Sequence, residues 1–281
     1  MRAPGTVGCS CGKPDRWIIV LASRSLPVAA APAALSIVVP TYNERERLPD
    51  LVNAVFSAYQ DAGLDAELVI VDDNSPDGTG AVADELAATR RMRVLHRAGK
   101  LGLGTAVVEG FGAASSGIVG VLDADMSHPP VLLPKMLRAM EREHADVVVA
   151  SRYIPGGGTR NWPFSRLMMS RVACLMARGL TPVADATSGF FLIRRDLARG
   201  VTISAGGFKI CLELLVRGRP ASVVEIPYVF QNRTAGESKM NFKEALGYLD
   251  QLRDLRRVAR ANPNPNQRYR RLASDEMSAD G

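Results

Sequence analysis

Two aspartates one residue apart, Asp123 and Asp125, close a short apolar run in the stretch Val119–Pro130, Val-Gly-Val-Leu-Asp-Ala-Asp-Met-Ser-His-Pro-Pro. Carboxylates at the carboxyl end of a strand stand where open α/β sheets bind ligands. Hard cations such as Mg²⁺ take carboxylate oxygens together with substrate phosphate oxygens, so this pair could hold a metal beneath a nucleotide diphosphate. A solvated acidic turn is the competing account of a lone Asp-x-Asp. Two other stretches bear on the choice: Pro40-Thr41-Tyr42-Asn43-Glu44 and Asp72-Asp73-Asn74-Ser75-Pro76-Asp77-Gly78-Thr79. Arginine, the side chain suited to bidentate phosphate recognition, follows at Arg152, Arg166 and Arg171.

The elements around these stretches decide whether they can meet. Leu35–Val39, Glu67–Val71, Met92–His96, Val119–Leu122 and Asp146–Ala150 are short, apolar and β-branched enough to read as buried strands. Helical spacing fills the gaps, to about Ala62, over Thr79–Ala88, to about Ser115 and over Pro130–Glu143. Strand, loop and helix alternating at this pace predict a mostly parallel sheet with helices on both faces. If the strands are neighbours, Tyr42 and the acidic loops share one rim. A dinucleotide-binding dehydrogenase is excluded by the place of its glycines, because Gly102-x-Gly104 follows the third strand and lacks the third glycine of the fingerprint. Further on, helices are expected from Trp162-Pro163 to about Arg178, over Phe208–Val216 and over 241–260, and strands over Ser188–Arg195 and Val223–Val229.

Composition narrows the class. The 281 residues suit one large domain with appendages, and a formal charge of +6 suits an anionic partner, with much of the excess between Arg253 and Arg271. Four cysteines suggest neither a disulfide framework nor a zinc site, which makes a reducing cytoplasm the default. No apolar run reaches the ~20 residues a membrane-crossing helix needs, and Arg24 interrupts the one weak leader-like stretch. The expected division is an N-terminal extension over 1–34, a catalytic domain over 35–240, a basic amphipathic helix over 241–260 and a disordered tail over 261–281. Nucleic acid has only the basic tail in its favour and is not expected as a partner.

Seven segments in order carry a resemblance: Pro-Thr-Tyr-Asn-Glu (40–44), Val-Asp-Asp-Asn-Ser-Pro-Asp-Gly-Thr (71–79), Asp-Ala-Asp-x-x-His-Pro-Pro (123–130), Ser-Arg-Tyr (151–153), Ser-Gly-Phe-Phe (188–191), Gly-Phe-Lys-Ile (207–210) and Arg-x-x-Gly-Glu-Ser-Lys (233–239). Together they resemble the polyprenyl- and dolichyl-phosphate mannosyltransferases of glycosyltransferase family 2. The resemblance implies the Rossmann-like GT-A fold and an inverting transfer of mannose from GDP-mannose to a polyprenyl phosphate. It assigns Pro40, Tyr42, Glu44, Val71 and Asp73 to the nucleoside and Asp123, Ala124 and Asp125 to the diphosphate. Asp123, Asp125 and Ser127 (often Gln in the family) fall to a divalent metal, Mg²⁺ or Mn²⁺. Arg152, Arg166 and Ser170 fall to the acceptor phosphate, and Arg233 and Lys239 to closure over the donor, where with Asp123 and Asp125 they form the catalytic set. Transfer of glucose or another sugar, or a nucleotide-sugar-binding protein without catalysis, is the alternative.

The chemistry is coherent without a protein base. A phosphate monoester with a second pKa of ~6 is mostly the dianion at pH 7 and already nucleophilic. A lipid acceptor must then be met at a membrane surface, through the 163–178 and 241–260 helices or through a separate membrane subunit. The expected location is peripheral, at the cytoplasmic face.

Overall fold

The computed structural model describes residues 16–18, 33–204, 209–231 and 242–277. In chain order the strands are β1 (Arg16–Ile18), β2 (Leu35–Thr41), β3 (Ala66–Asp72), β4 (Met92–His96), β5 (Ile118–Val121), β6 (Val147–Ser151), β7 (Gly158–Arg160), β8 (Phe191–Arg194), β9 (Thr202–Ser204), β10 (Ser222–Pro227), β11 (Val229–Gln231) and β12 (Arg268–Arg271). The helices are α1 (Leu48–Asp61), α2 (Thr79–Ala87), α3 (Leu103–Ala113), α4 (Leu133–Arg142, entered through a 3-10 turn at Pro130–Leu132), α5 (Phe164–Ala177), α6 (Arg195–Ala198), α7 (Ile210–Arg217) and α8 (Phe242–Ala261).

Eight strands form one sheet in the order β12-β10-β6-β8-β5-β2-β3-β4. All pairs are parallel except those of β8, which runs antiparallel to β5 and β6. Alternate residues of each central strand feed opposite cores, as the twofold period of a strand requires. Ile37 and Val39 of β2 and Leu68 and Ile70 of β3 pack with α1 and α4, whereas Val38, Val69 and Val71 pack with α3 and α7. Both faces are therefore covered, and the mostly parallel sheet expected from the strand–helix alternation is the one observed.

Two expectations need correction. Residues 261–281 are not simply a disordered tail: Arg268–Arg271 pairs with Ser222–Glu225 in parallel register, and Leu272 is buried beyond it. The polar composition of this strand reflects an edge position, where one row of backbone groups faces a neighbour and the side chains face water. The extension over 1–34 contributes β1, antiparallel to β9. The single strand expected over Val223–Val229 breaks at Tyr228, whose N–H bonds to the Ser151 carbonyl (3.0 Å), and continues as β11 beside β7.

Candidate functional site

The carboxyl ends of β2, β3 and β5 turn through the left-handed residues Asn43 (φ 58°), Asn74 (φ 57°) and Met126 (φ 62°). Each turn reverses the chain sharply and leaves its polar groups on one rim. Asp72 orients the second loop, accepting from the Thr41 hydroxyl (3.1 Å), the Ser75 amide (3.0 Å) and the Ser75 hydroxyl (2.6 Å). Asp77 accepts from the Thr79 amide (3.0 Å) and hydroxyl (2.6 Å) and from the Arg45 amide (3.2 Å), tying the first loop to the second. Glu44 donates its amide to the Thr79 hydroxyl (3.0 Å), and its side chain pairs with Arg47. Tyr42 stands partly exposed, with the Lys100 ammonium 3.9 Å above its ring. Val71 and Ala124 are buried. They can offer a ligand little beyond backbone.

Asp73 has a partner that the motifs do not contain. The buried Arg97 guanidinium pairs with one of its oxygens, and the Gly102 amide donates to the other (3.1 Å). Arg97 also donates to the Thr105 hydroxyl (2.6 Å) and to Glu109 (3.1 and 3.2 Å). The glycine loop is thus folded against Asp73 by hydrogen bonds.

At the end of β5, Asp125 is buried and accepts the Ser127 amide at 3.0 Å, while Asp123 is partly exposed. His128 is buried. Its Nδ1 accepts the Asp123 amide at 3.3 Å, and its ring stacks on Phe190 at 5.0 Å. Burial pushes the imidazole below its ordinary pKa against the pull of Asp123 and Asp125, so it supports the loop as a neutral ring. Gly189 completes the enclosure, since a Cβ there would lie 3.3 Å from Asp123 Oδ2.

The Ser127 hydroxyl oxygen is buried with no hydrogen-bond partner among the described residues. An unsatisfied oxygen beside two carboxylates fits a hard divalent cation. Among the described residues no group of three or more His, Cys, Asp or Glu could hold a metal by itself. A cation here would therefore depend on oxygens from a ligand, as Mg²⁺-type sites commonly do.

Arg152, just past β6, is buried and forked onto Asp185, with Nε to Oδ2 and Nη2 to Oδ1 both at 2.7 Å. Asp185 also accepts the Arg152 amide (3.0 Å). Two of the three guanidinium nitrogens are thereby committed, and only Nη1 lies outside the fork. Arg166 on α5 lies 4.2 Å above the Trp162 ring and 5.8 Å from that of Phe230. Arg152 approaches the same two rings at 5.3 and 5.9 Å. Phe230 in turn meets His128 at 5.5 Å, edge to face. One aromatic cluster thus joins the Asp123/Asp125 loop to both arginines. Ser170 faces the Tyr153 hydroxyl. Lys209 lies in the field of Arg152, Asp185 and Asp123, and burial pushes its pKa down. Glu213, which could have paired with it, bonds instead to Arg217 (2.7 Å) and Gln251 (2.9 Å).

Arg233 and Lys239 lie outside the described residues. The chain leaves the described structure at Gln231, whose amide donates to the Ser127 carbonyl at 3.2 Å. Asp185, Arg97, Trp162 and Phe230 were missed by sequence reasoning. Of these only the Trp162-Pro163 pair carried a signal, as a helix start.

Comparison with known proteins bears on the family and the fold. The family model described as Glycosyl transferase family 2 matches residues 36–202. The chain is 41% identical over 219 residues to a dolichol-phosphate mannosyltransferase of Pyrococcus furiosus, covering 76% of this chain and 61% of that protein, so it spans less than two thirds of that relative. It is 40% identical over 225 residues to a polyprenol monophosphomannose synthase of Mycolicibacterium smegmatis, covering 75% of this chain and 83% of that one. Among solved structures, a mannosyltransferase from Pyrobaculum calidifontis in complex with GDP-Man and Mn²⁺ superposes with a TM-score of 0.58 at 17% identity, over 92% of this chain and 72% of that one. At that identity the likeness concerns the fold.

Proposed function

The chain belongs to glycosyl transferase family 2, and from that premise we propose that it transfers mannose from GDP-mannose to a polyprenyl (dolichyl-type) phosphate. The observation that carries the reading is the aromatic cluster of His128, Phe230 and Trp162, which brings the paired aspartates and two arginines to one rim. Carboxylates that suit a metal–diphosphate and arginines that suit a second phosphate imply two phosphorylated partners meeting there. The names of the curated relatives point to mannose and to a dolichyl or polyprenyl phosphate, and the GDP-Man bound by the Pyrobaculum calidifontis mannosyltransferase points to the donor nucleotide.

Pro40, Tyr42, Glu44 and Asp73 would take the nucleoside. Asp125, Asp123 and Ser127 would hold Mg²⁺ or Mn²⁺, which when bound neutralises charge on the leaving diphosphate. Arg166, Ser170 and the uncommitted edge of Arg152 orient the acceptor phosphate. An acceptor oxygen forms the bond to the sugar's anomeric carbon as that carbon's bond to the diphosphate breaks, and GDP leaves with the electron pair. Attack from the face opposite the leaving group inverts the centre. The phosphate dianion needs no general base, which accords with a neutral, buried His128. Arg233 and Lys239 follow Gln231 by two and eight residues.

The test offers GDP-mannose, GDP-glucose and UDP-glucose with a short polyprenyl phosphate and follows the labelled lipid. Mannosyl lipid is expected from GDP-mannose alone, and Asp125→Ala should lower the rate by about 10³-fold or more with an unchanged melting temperature. Label arriving only from a glucose donor, or a fully active Asp125→Ala, overturns the assignment.

The acceptor's lipid tail needs a surface. Among the described residues, no helix is long and apolar enough to cross a membrane. Helix α5 nevertheless exposes Phe164 (76%), Met168, Met169, Val172 and Leu175 (64%), and α8 exposes Leu246 and Leu249. The two helices are tied by the Tyr248 hydroxyl donating to the Ala173 carbonyl (2.7 Å), and Arg253, Arg256, Arg257 and Arg260 continue α8. We propose that this face lies on an anionic membrane at its cytoplasmic side, each buried large apolar side chain contributing ~1.5–3 kcal/mol and each surface arginine ~1 kcal/mol. Phe164→Glu/Leu175→Glu should abolish co-sedimentation with phosphatidylserine-containing vesicles at unchanged stability. Wild-type protein that stays in solution with those vesicles removes the proposal.

A further inference from the structure

The strand at the far edge of the sheet makes contacts that lead back to the acceptor side of the cleft. Glu225 of β10 is fully buried, and its carboxylate accepts from the Ala184 amide (2.8 Å), the Asp185 amide (3.0 Å) and the Tyr269 hydroxyl of β12. The Tyr269 oxygen in turn accepts from Arg271 Nε at 2.7 Å. A continuous line of hydrogen bonds therefore runs Arg271–Tyr269–Glu225–Asp185–Arg152, from an exposed edge strand to the buried guanidinium. It crosses four separate stretches of chain.

A second contact reaches the same place from the other side. Beyond β12 the chain packs Leu272 into the core and sets the Ser274 side chain against Gly156, in the loop that follows Arg152. Gly156 has φ +87° and no room for a Cβ on that side. Glu276 then fastens the segment, accepting from the Ala273 amide (2.8 Å) and from Arg270 (2.6 Å), while Arg270 also pairs with Glu143 at the end of α4 (2.6 Å). The segment is locked at both ends, and its two inward contacts flank Arg152.

We infer that residues 268–277 form a clasp, with Tyr269 and Glu225 as positioning residues that set the Asp185 carboxylate and through it the orientation of Arg152 toward the acceptor phosphate. The physical requirement is strict. A buried carboxylate can direct a guanidinium only if its own backbone is fixed, and the amides of Ala184 and Asp185 are fixed by the Glu225 carboxylate, which is itself held from the edge strand. Tyr269 is the donor that holds it. The inference deepens the proposed function, because it rests on Arg152 serving the acceptor phosphate.

The test uses the full chain with Tyr269→Phe, which removes one oxygen, and Arg271→Ala, an exposed change that withdraws the bond to Tyr269 and cannot unfold the core. Arg268→Ala on the same strand is the control. Two readouts are taken: hydrogen exchange of the Ala184 and Asp185 amides without substrate, and KM for polyprenyl phosphate and for GDP-mannose separately. Tyr269→Phe should speed exchange at 184–185 and raise the acceptor KM about tenfold, the factor expected for one hydrogen bond to a buried charge, with the donor KM within about twofold. Arg271→Ala should move both readouts the same way by less, and Arg268→Ala neither. Unchanged exchange in folded Tyr269→Phe overturns the clasp. So does faster exchange with an unmoved acceptor KM, or equal rises in both KM values. Wild-type protein that fails to label polyprenyl phosphate at all sinks the proposed function first, and that arm is read before any variant.

Discussion

On one half of the sheet, around β2, β3 and β4, the carboxylates of the cleft are held mostly by near neighbours. Asp72 takes its closest bonds from Ser75, and Asp77 its closest from Thr79. On the other half, around β6, β8, β10 and β12, Asp185 is held by Arg152, 33 positions away, and Glu225 by residues 40, 41 and 44 positions away. The first arrangement builds the Asp72 and Asp77 turns largely from adjacent residues, with Thr41, Arg45 and, at Asp73, Arg97 and Gly102 reaching in from other loops. The second exists only once the whole domain has closed. Under the proposed function, a nucleotide site built of turns would tolerate movement in the rest of the molecule, whereas an acceptor site built of distant segments would report on it.

The sharpest way to break that contrast is at Asp185. Asp185→Asn removes the charge that the buried Arg152 fork faces. An uncompensated buried cation costs about 3–5 kcal/mol, and denaturant unfolding should show a loss of that size. Adding Arg152→Met should recover much of the stability while leaving transfer abolished, separating the pair's structural role from its part in the reaction. If Asp185→Asn proves no more costly than a change in the Asp72–Thr79 loop, the two halves do not differ as described.

The same contrast explains what could be read from the chain. Segments 71–79 and 123–130 hold their own turn residues, acceptors and donors within a few positions, so pattern and chemistry coincide there, while 40–44 is completed by partners in 72–79. Strand–helix alternation gave the parallel sheet because each buried strand carries its signal in four to seven residues. Arg152 was legible as a cation, but Asp185 lies in Ala184-Asp185-Ala186, where nothing marks a buried partner. The last strand, Arg-Tyr-Arg-Arg, is too short and too polar to show alternation, and only its neighbour β10 makes it a strand. Arg97 was passed over for a similar reason: its partner Asp73 is 24 positions away.

The gentlest test lies on the side built of turns, at Asp77. Desolvation works to raise its pKa, and the hydroxyl and amide of Thr79 with the Arg45 amide outweigh it, holding the carboxyl below the usual carboxylate range. A folded-state pKa below the unfolded value of ~3.9 means that the unfolded chain binds the proton first. The contribution is therefore present above about pH 4 and lost as pH falls through the lower folded value. Asp77→Ala should cost about 1 kcal/mol at pH 7, the usual scale for a lost acceptor at a helix entrance. Its unfolding free energy should converge with wild type under acid conditions. The donor KM should rise modestly and the acceptor KM should not move, because among the described residues this carboxylate is bonded by Thr79 and Arg45 alone. An acceptor KM that rises with it would mean that the nucleotide loops, like the far side, are held in place by the domain as a whole.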